Sequence, residues 1–101
     1  MRWAAFFTDR TDGADIRAAR SAAHQAYLRK YKGTIVLAGA LRPEPDGEPN
    51  GGLWVFEAGS RADVEAIIAE DPFQIHGLRA TSEVFAWGMA PGFEDVGIGG
   101  R

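Results

Sequence analysis

The sequence contains no cysteine. Its absence excludes disulfide bonds, thiolate nucleophiles and cysteine-ligated zinc or iron–sulfur sites, although it leaves the redox compartment undetermined. Long hydrophobic runs are also missing, since apolar residues nowhere continue for the roughly 18 positions that a membrane-spanning helix requires. The short apolar stretch after Met1 and Arg2 lacks the apolar core and cleavage site of a signal peptide. We therefore expect a cytoplasmic protein that does not bind a membrane.

Basic charge is scarce as well. The chain carries a net charge of -3 and has a pI of about 5.3, and apart from Arg29, Lys30 and Lys32 its basic residues are scattered. Nothing here predicts the basic field that attracts a nucleic acid backbone, so nucleic acid is not an expected partner. The glycines form neither a P-loop nor a dinucleotide-binding motif, and we expect no nucleotide cofactor.

The length and composition are those of one small domain. At 101 residues the chain falls within the usual size of a single domain, which we place at residues 1–90, with a Gly-rich C-terminal tail at residues 91–101. A chain this short buries a modest share of its surface, yet 46% of its residues are hydrophobic. Dimerisation, which buries more apolar surface, is therefore expected.

Local patterns divide the chain into strands and helices. Aromatic and β-branched runs bounded by turn formers predict strands, whereas a long Ala-rich segment without Gly or Pro predicts a helix. The predicted elements are a strand at 3–8, a helix at 14–32, strands at 34–41 and 52–58, a helix from Ser60 to near Asp71, a short turn at 73–77 and a strand at 78–87.

This order predicts an α+β fold of the ferredoxin-like βαββαβ type, with two helices covering one face of a four-stranded antiparallel sheet. Strand side chains alternate between the two faces, so the strand aromatics cannot all point towards the helices. These aromatics are Trp3, Phe6, Phe7, Trp54, Phe56, Phe85 and Trp87. We expect two such sheets to pack face to face in a homodimer.

His24 is the first candidate for acid–base chemistry, because histidine titrates near neutral pH. At about 100° per residue it lies about 80° round the first helix from Ile16, at the margin of the predicted apolar stripe. That stripe is formed by Ile16, Ala19, Ala23, Tyr27 and Tyr31. The alternative is a structural or surface histidine, and the sequence leaves both open.

Asp71 is the second candidate. Pro72 disfavours helical geometry at Asp71, so the second helix ends there, and the alternative interpretation is an ordinary helix-ending aspartate. If Asp71 contacts His24, the carboxylate fixes the tautomer of the imidazole and favours its protonated form, which leaves the outer nitrogen to exchange a proton. His76 reads as a solvated residue, and no metal-binding spacing links it to His24. Ser60 is explained as a helix cap, so a serine hydrolase is not expected.

Several short motifs occur together in a family-like order. They are Ala23-His24-Gln25-Ala26-Tyr27-Leu28, Leu37-Ala38-Gly39-Ala40-Leu41, Gly51-Gly52-Leu53-Trp54-Val55-Phe56, Asp71-Pro72-Phe73, Gly77-Leu78 and Val84-Phe85-Ala86-Trp87. In this order and spacing the chain resembles the YciI-like family of the dimeric α+β barrel group. The resemblance implies a ferredoxin-like subunit, a dimer with packed sheets, a pocket between sheet and helices, and His24 with Asp71 as the active-site pair. Ala40 departs from the family, which often has proline there.

Three functional hypotheses remain. The first is a small cofactor-independent enzyme in which His24 and Asp71 transfer a proton in an isomerisation, cyclisation or elimination, with no metal. Arg20, Tyr27 or Arg42 would hold an anionic or phenolic group of the substrate beside Phe73, and nothing in the sequence selects among them. The second is a metabolite-binding or accessory module. The third, an oxygenase-like activity, gains no specific support from these residues.

Overall fold

The computed structural model describes residues 1–94. Its elements follow the predicted order, with one addition, a four-residue helix before the last strand. They are β1 (Arg2–Asp9), α1 (Ala14–Lys30), β2 (Ile35–Leu41), β3 (Gly51–Glu57), α2 (Arg61–Ala69), α3 (Pro72–Ile75) and β4 (Arg79–Ala86). Within the described residues no helix is long and apolar enough to span a membrane. Of the predicted tail, Phe93 is exposed, whereas Val96 and Ile98 lie outside the described residues.

The four strands form one antiparallel sheet in the order β2-β3-β1-β4. Strand β3 pairs with both β1 and β2, and β1 also pairs with β4. The sequence-adjacent strands β2 and β3 are therefore a hairpin, as their patterns predicted. This arrangement is the ferredoxin-like split βαβ fold, which confirms the fold class predicted from the sequence.

Helix α1 buries a different face from the one predicted. Ala19 and Ala23, placed on the apolar stripe, are exposed, so that part of the prediction was wrong. The half-buried residues are Ile16, Arg17, Ser21, His24, Tyr27 and Leu28. Alanine is small enough to be tolerated on either face of a helix, and it therefore misled the assignment. His24 consequently lies in the middle of the inward face and not at its margin.

Helix α2 begins and ends where local chemistry requires. The Ser60 side chain accepts a hydrogen bond from the Asp63 backbone N–H, 3.2 Å away, as an N-cap does. The helix ends at Ala69, two residues before Asp71, and Asp71 has an extended conformation (φ -67°, ψ 134°) because Pro72 follows. Pro72 then opens helix α3, a position that suits proline because its missing N–H would have no helical partner there.

The main core lies between the helices and one face of the sheet. It consists of Ala5, Phe7, Ile35, Trp54, Phe56, Val64 and Ile68, with Trp3, Leu28, Tyr31 and Val84 packed around it. Each strand contributes alternate residues to this face, as its pleat requires. The aromatic residues therefore divide between the two faces, as predicted, and Trp3, Phe7, Trp54 and Phe56 belong to the helix side.

The opposite face of the sheet has no helix over it. Phe6, Leu37 and Phe85 are 43%, 45% and 49% exposed there, and the rings of Phe6 and Phe85 meet edge to face at 6.1 Å. Ala4, Leu53 and Trp87 complete an apolar depression around these rings. We call this surface the open face.

The two isoleucines Ile68 and Ile75 provide a matched test of where the core lies. Ile68 on α2 is 5% exposed and packs against the sheet, whereas Ile75 on α3 is 59% exposed. We expect Ile68→Ala to lower the free energy of unfolding by about 2–5 kcal/mol, since it removes buried methyl groups and leaves a cavity. Ile75→Ala should change it by only about 0.5 kcal/mol. Urea denaturation of both variants measures the difference, and equal losses would contradict the described core.

Candidate active site

A cavity of about 240 Å³ lies between α1 and the helix side of the sheet. Polar side chains of α1 form its roof, and aromatic rings and small residues of the strands form its floor. The lining residues include Phe7, Asp9, Arg17, Ser21, His24, Gln25, Ala38, Ala40, Gly52, Trp54, Phe73 and Arg79. This small space, with polar side chains above it, is thus enclosed by the sheet, by helix α1 and by the segment after α2.

His24 and Asp71 meet at this cavity. The His24 Nδ1 atom lies 2.6 Å from the Asp71 Oδ1 atom, and the two side chains are 13% and 0% exposed. The imidazole also stacks on the ring of Phe73, with centroids 4.0 Å apart and planes inclined by 15°. Because one nitrogen is bound to Asp71 and one ring face is covered, the orientation of the imidazole is fixed.

The local backbone explains why the Asp71 side chain is free to reach His24. Asp71 is the N-cap residue of α3, but its carboxylate makes no capping bond. Instead its backbone carbonyl accepts hydrogen bonds from the N–H groups of Gln74 and Ile75, both at 2.9 Å. The extended residue before Pro72 thereby directs its side chain inwards, away from the helix that it begins.

Arg79, the first residue of β4, compensates the charge of Asp71. Its Nη2 atom lies 2.9 Å from Asp71 Oδ2 and its side chain is 4% exposed; the contact is an ion pair rather than a well-aligned hydrogen bond. The guanidinium lies 3.7 Å from the ring centroid of Phe7 and 5.0 Å from that of Trp54. Burial lowers the pKa of Arg79, and the negative charge of Asp71 opposes this effect.

A second ion pair lies at the same cavity. Arg17 of α1 binds Asp9 of β1 through two parallel hydrogen bonds, Nε to Oδ2 at 2.9 Å and Nη2 to Oδ1 at 3.0 Å. Its Nη2 also donates to the carbonyl of Gly51 at 3.3 Å. Such a fork-to-fork contact is geometrically specific. It ties the beginning of α1 to β1 and β3 and keeps both charged groups at the cavity wall.

The structure brings together only some of the residues predicted for the site. His24 contacts both Asp71 and Phe73, and the resemblance had implied the pair of His24 and Asp71. Arg20 and Arg42 are exposed and lie outside the cavity lining. Tyr27 also lies outside it, because its hydroxyl donates a hydrogen bond of 2.6 Å to the carbonyl of Ile67 and ties α1 to α2. The structure therefore does not support these three residues as substrate ligands.

Sequence reasoning missed Arg17 and Arg79. Arg17 precedes His24 by seven residues, and this spacing, two turns of a helix, places both on one face; that signal was present in the sequence. No comparable signal marked Arg79, since its inward direction depends on how β4 pairs with β1 past the irregularity between Thr8 and Asp9. Among residues 1–94 no group of three or more His, Cys, Asp or Glu side chains is arranged to hold a metal ion.

The model of the YCII-related domain family matches residues 1–88. The chain belongs to this family. The family assignment confirms the resemblance inferred from the short motifs, and it covers both histidines, Asp71 and the whole sheet. No curated protein matches the chain in sequence.

Several solved structures are similar to this YCII-related domain over most of its length. TftG from Burkholderia phenoliruptrix AC1100, a 5-chloro-2-hydroxyhydroquinone dehydrochlorinase in complex with 2,5-dihydroxybenzoquinone, is 29% identical, with a TM-score of 0.82 over 89% of this chain and 96% of TftG. A protein from Agrobacterium tumefaciens is 15% identical, with a TM-score of 0.55 over 92% and 97% of the two chains. SnoaB, a cofactor-independent oxygenase from Streptomyces nogalater, is 16% identical, with a TM-score of 0.50 over 90% and 95%. The last two show the fold alone.

The structural role of Tyr27 can be tested by measuring stability at alkaline pH. Burial first, and then the neighbouring Tyr31 and Asp71, raise the pKa of Tyr27 above the ordinary value of 10.0. The folded protein therefore keeps the Tyr27 proton at a pH where the unfolded chain loses it. The contribution of Tyr27 to the free energy of unfolding is complete below pH 10 and is lost as the pH rises further. We expect the free energy of unfolding to fall less steeply between about pH 9 and about pH 11 in Tyr27→Phe than in the wild type. Urea denaturation across this range measures the slopes; equal slopes would refute the assignment.

Proposed function

We propose that this protein is a cofactor-independent enzyme in which His24, oriented by Asp71, transfers a proton to or from a small organic substrate. The observation that carries the proposal is the 2.6 Å contact between His24 Nδ1 and Asp71 Oδ1 at the wall of a cavity. A carboxylate that holds one imidazole nitrogen leaves the other to act as general base or acid. Members of this fold that act on small molecules include TftG and SnoaB.

The size of the cavity favours a substrate with a single ring. A cavity of about 150 Å³ is known to hold benzene in another protein, and the present one measures about 240 Å³. Its floor is open because Ala38, Ala40 and Gly52 lie on the helix side of β2 and β3, where larger side chains would fill the space. One six-membered ring with small substituents fits this volume.

The charges around the cavity favour a weakly acidic substrate. Asp9 and Asp71 balance Arg17 and Arg79, so the site is neutral with a neutral His24 and positive once His24 accepts a proton. A hydroxylated ring that gives its proton to His24 would therefore leave its anion beside an imidazolium. Arg17 has a further Nη1 group that makes no hydrogen bond to the described residues. Arg17, rather than Arg20 or Arg42, is the proposed ligand for a substrate oxygen.

TftG supplies a concrete reaction class. A dehydrochlorinase removes the elements of HCl, so its substrate loses a proton and a chloride ion, and a base that accepts the proton is the chemical requirement. His24 meets this requirement in the present chain without a redox partner. We therefore propose an elimination or an isomerisation on a hydroxylated six-membered ring, and the compounds named for TftG, which is 29% identical, are suitable probes.

The two histidines provide a matched pair for testing the site. We expect 2,5-dihydroxybenzoquinone to bind the wild type and to bind His24→Gln at least about 10-fold more weakly, since the imidazole and its stacking contact are lost, a cost of about 1.4 kcal/mol. His76→Gln, altered at the exposed end of α3, should bind like the wild type. Isothermal titration calorimetry measures all three affinities, and equal binding by the two variants would place the ligand elsewhere.

Turnover separates an enzyme from a binding module. Chloride release from 5-chloro-2-hydroxyhydroquinone tests elimination directly, and hydroxylated rings without chlorine test isomerisation. Where turnover is found, we expect Asp71→Asn to lower kcat by a factor on the order of 100, because general base catalysis contributes at least that much. Binding without conversion of any of these rings would favour the metabolite-binding alternative.

We further propose that the protein is a homodimer joined through the open face. A sheet with helices on one face must bury its other apolar face against another layer, and Phe6, Leu37, Phe85 and Trp87 are large apolar side chains left exposed on it. A second copy of the same face supplies a complementary apolar surface through a two-fold axis, the commonest symmetry of soluble oligomers. Such packing leaves the cavity, on the helix side, open to substrate.

A charge on the open face tests the dimer. Phe85→Glu should convert the dimer into a monomer at micromolar concentration, since burial of the new carboxylate without a partner is costly. Ile75→Glu is the matched control, because Ile75 is similarly exposed but lies on α3, on the other side of the sheet. Sedimentation equilibrium measures the mass of each variant. A monomeric wild type, or a Phe85→Glu variant that stays dimeric, would refute the proposal.

A further inference from the structure

The carboxylate of Asp71 has no exposure to solvent and divides its two oxygens between two partners. Oδ1 contacts His24 and Oδ2 contacts Arg79. Among the described residues these are the only cationic or ionisable side chains within ion-pair distance of it. Burial disfavours an isolated carboxylate strongly, and such a group takes up a proton when no cation stands beside it. The charge of Asp71 therefore depends on Arg79.

Arg79 is held in place independently of His24. Its guanidinium lies against the rings of Phe7 and Trp54, and Nη1 donates to Gln74 Oε1 at 3.3 Å. Phe7 belongs to β1 and Gln74 to α3, so core packing and the segment that carries Asp71 both fix the guanidinium. A cation positioned in this way acts as a permanent part of the site.

We infer that Arg79 is a positioning residue that decides which nitrogen of His24 carries the proton. With Arg79 present, Asp71 stays ionised and can only accept a hydrogen bond, so Nδ1 is the donor and Nε2 has a free electron pair. The catalytic meaning of this inference rests on the proposed function, in which Nε2 is the base. Which nitrogen of His24 carries the proton is a property of the protein without substrate, so it can be measured in the absence of one.

Removal of the guanidinium should reverse this arrangement. A neutral carboxyl group at position 71 would donate its own proton to Nδ1, and the imidazole would then carry its hydrogen on Nε2. If the proton passes completely to the imidazole, both nitrogens carry hydrogen. In either case Nε2 has lost its free electron pair and can no longer act as a base.

Nitrogen NMR of histidine-labelled protein distinguishes these states, because a ring nitrogen with a hydrogen and one with a free pair have well-separated chemical shifts. We expect the neutral imidazole of His24 in the wild type to carry its hydrogen on Nδ1, so that Nε2 is unprotonated. Arg79→Met should show a protonated Nε2. Arg79→Lys, which keeps the positive charge, should retain the wild-type signal. His76, which is exposed, serves as the internal reference.

The control variant is Arg61→Met. Arg61 also has its guanidinium over an aromatic ring, at 5.6 Å from the centroid of Trp3, and donates to the carbonyl of Val84, but it lies outside the cavity. It should leave the His24 signals unchanged. Amide spectra of every variant show whether the fold is retained, and if Arg79→Met does not fold, Arg79→Gln, which also removes the charge but keeps a hydrogen-bond donor, takes its place.

Two results would overturn the inference. One is a folded Arg79→Met protein whose Nε2 remains unprotonated, and the other is a folded Arg79→Lys protein whose Nε2 has become protonated. The proposed function fails by a different result, namely that the protein binds and converts none of the hydroxylated rings. In that case the His24 signals would still respond to substitution of Arg79 as expected. The two hypotheses can therefore fail separately.

Discussion

The burial of one carboxylate constrains the rest of the site. Asp71 has no contact with solvent, and a charge in this position is tolerable only when partners are held close to it, because loss of one partner of a buried ion pair costs about 3–5 kcal/mol. The partners come from opposite ends of the chain, His24 from α1 and Arg79 from β4. The same pair of contacts therefore holds the segment between α2 and β4 against α1 and orients the imidazole.

The two halves of helix α1 make different contacts, one with the core and one with the cavity. Its C-terminal part packs Leu28 and Tyr31 against the main core, whereas its N-terminal part presents Arg17, Ser21 and His24 to the cavity. The sheet beneath changes in the same way, from large aromatic residues in the core to Ala40 and Gly52 at the cavity floor. A cavity forms where small residues meet a polar helix face, because neither side can fill the space between them.

Membership of the YCII-related domain family describes the scaffold better than the reaction. Solved structures with 15% and 16% identity share the fold, and a fold of this kind hosts unrelated chemistry in different proteins. The chemistry depends on the groups in the site, and in this chain two carboxylates are paired to two guanidinium groups beside a single imidazole at one small cavity. The size of the cavity and its charge balance, rather than the fold, are the reasons for proposing a small hydroxylated ring as the substrate.

Local sequence patterns predicted the order of strands and helices, the ferredoxin-like class and a division of the strand aromatics between the two sheet faces, because turn residues, helix caps and the two-residue strand period act locally. The sequence also identified His24 and Asp71, through motifs of the family. Only the tertiary structure decided which arginines reach the cavity. Whether Arg17 or Arg20 faces the cavity depends on the rotation of helix α1 about its axis, and the direction of the Arg79 side chain depends on the register of β4. Packing between segments that are distant in the chain fixes both the rotation and the register. The seven-residue spacing between Arg17 and His24 was a local signal for Arg17, but no local pattern records how β4 pairs with β1, so Arg79 could be recognised only once the chain was folded.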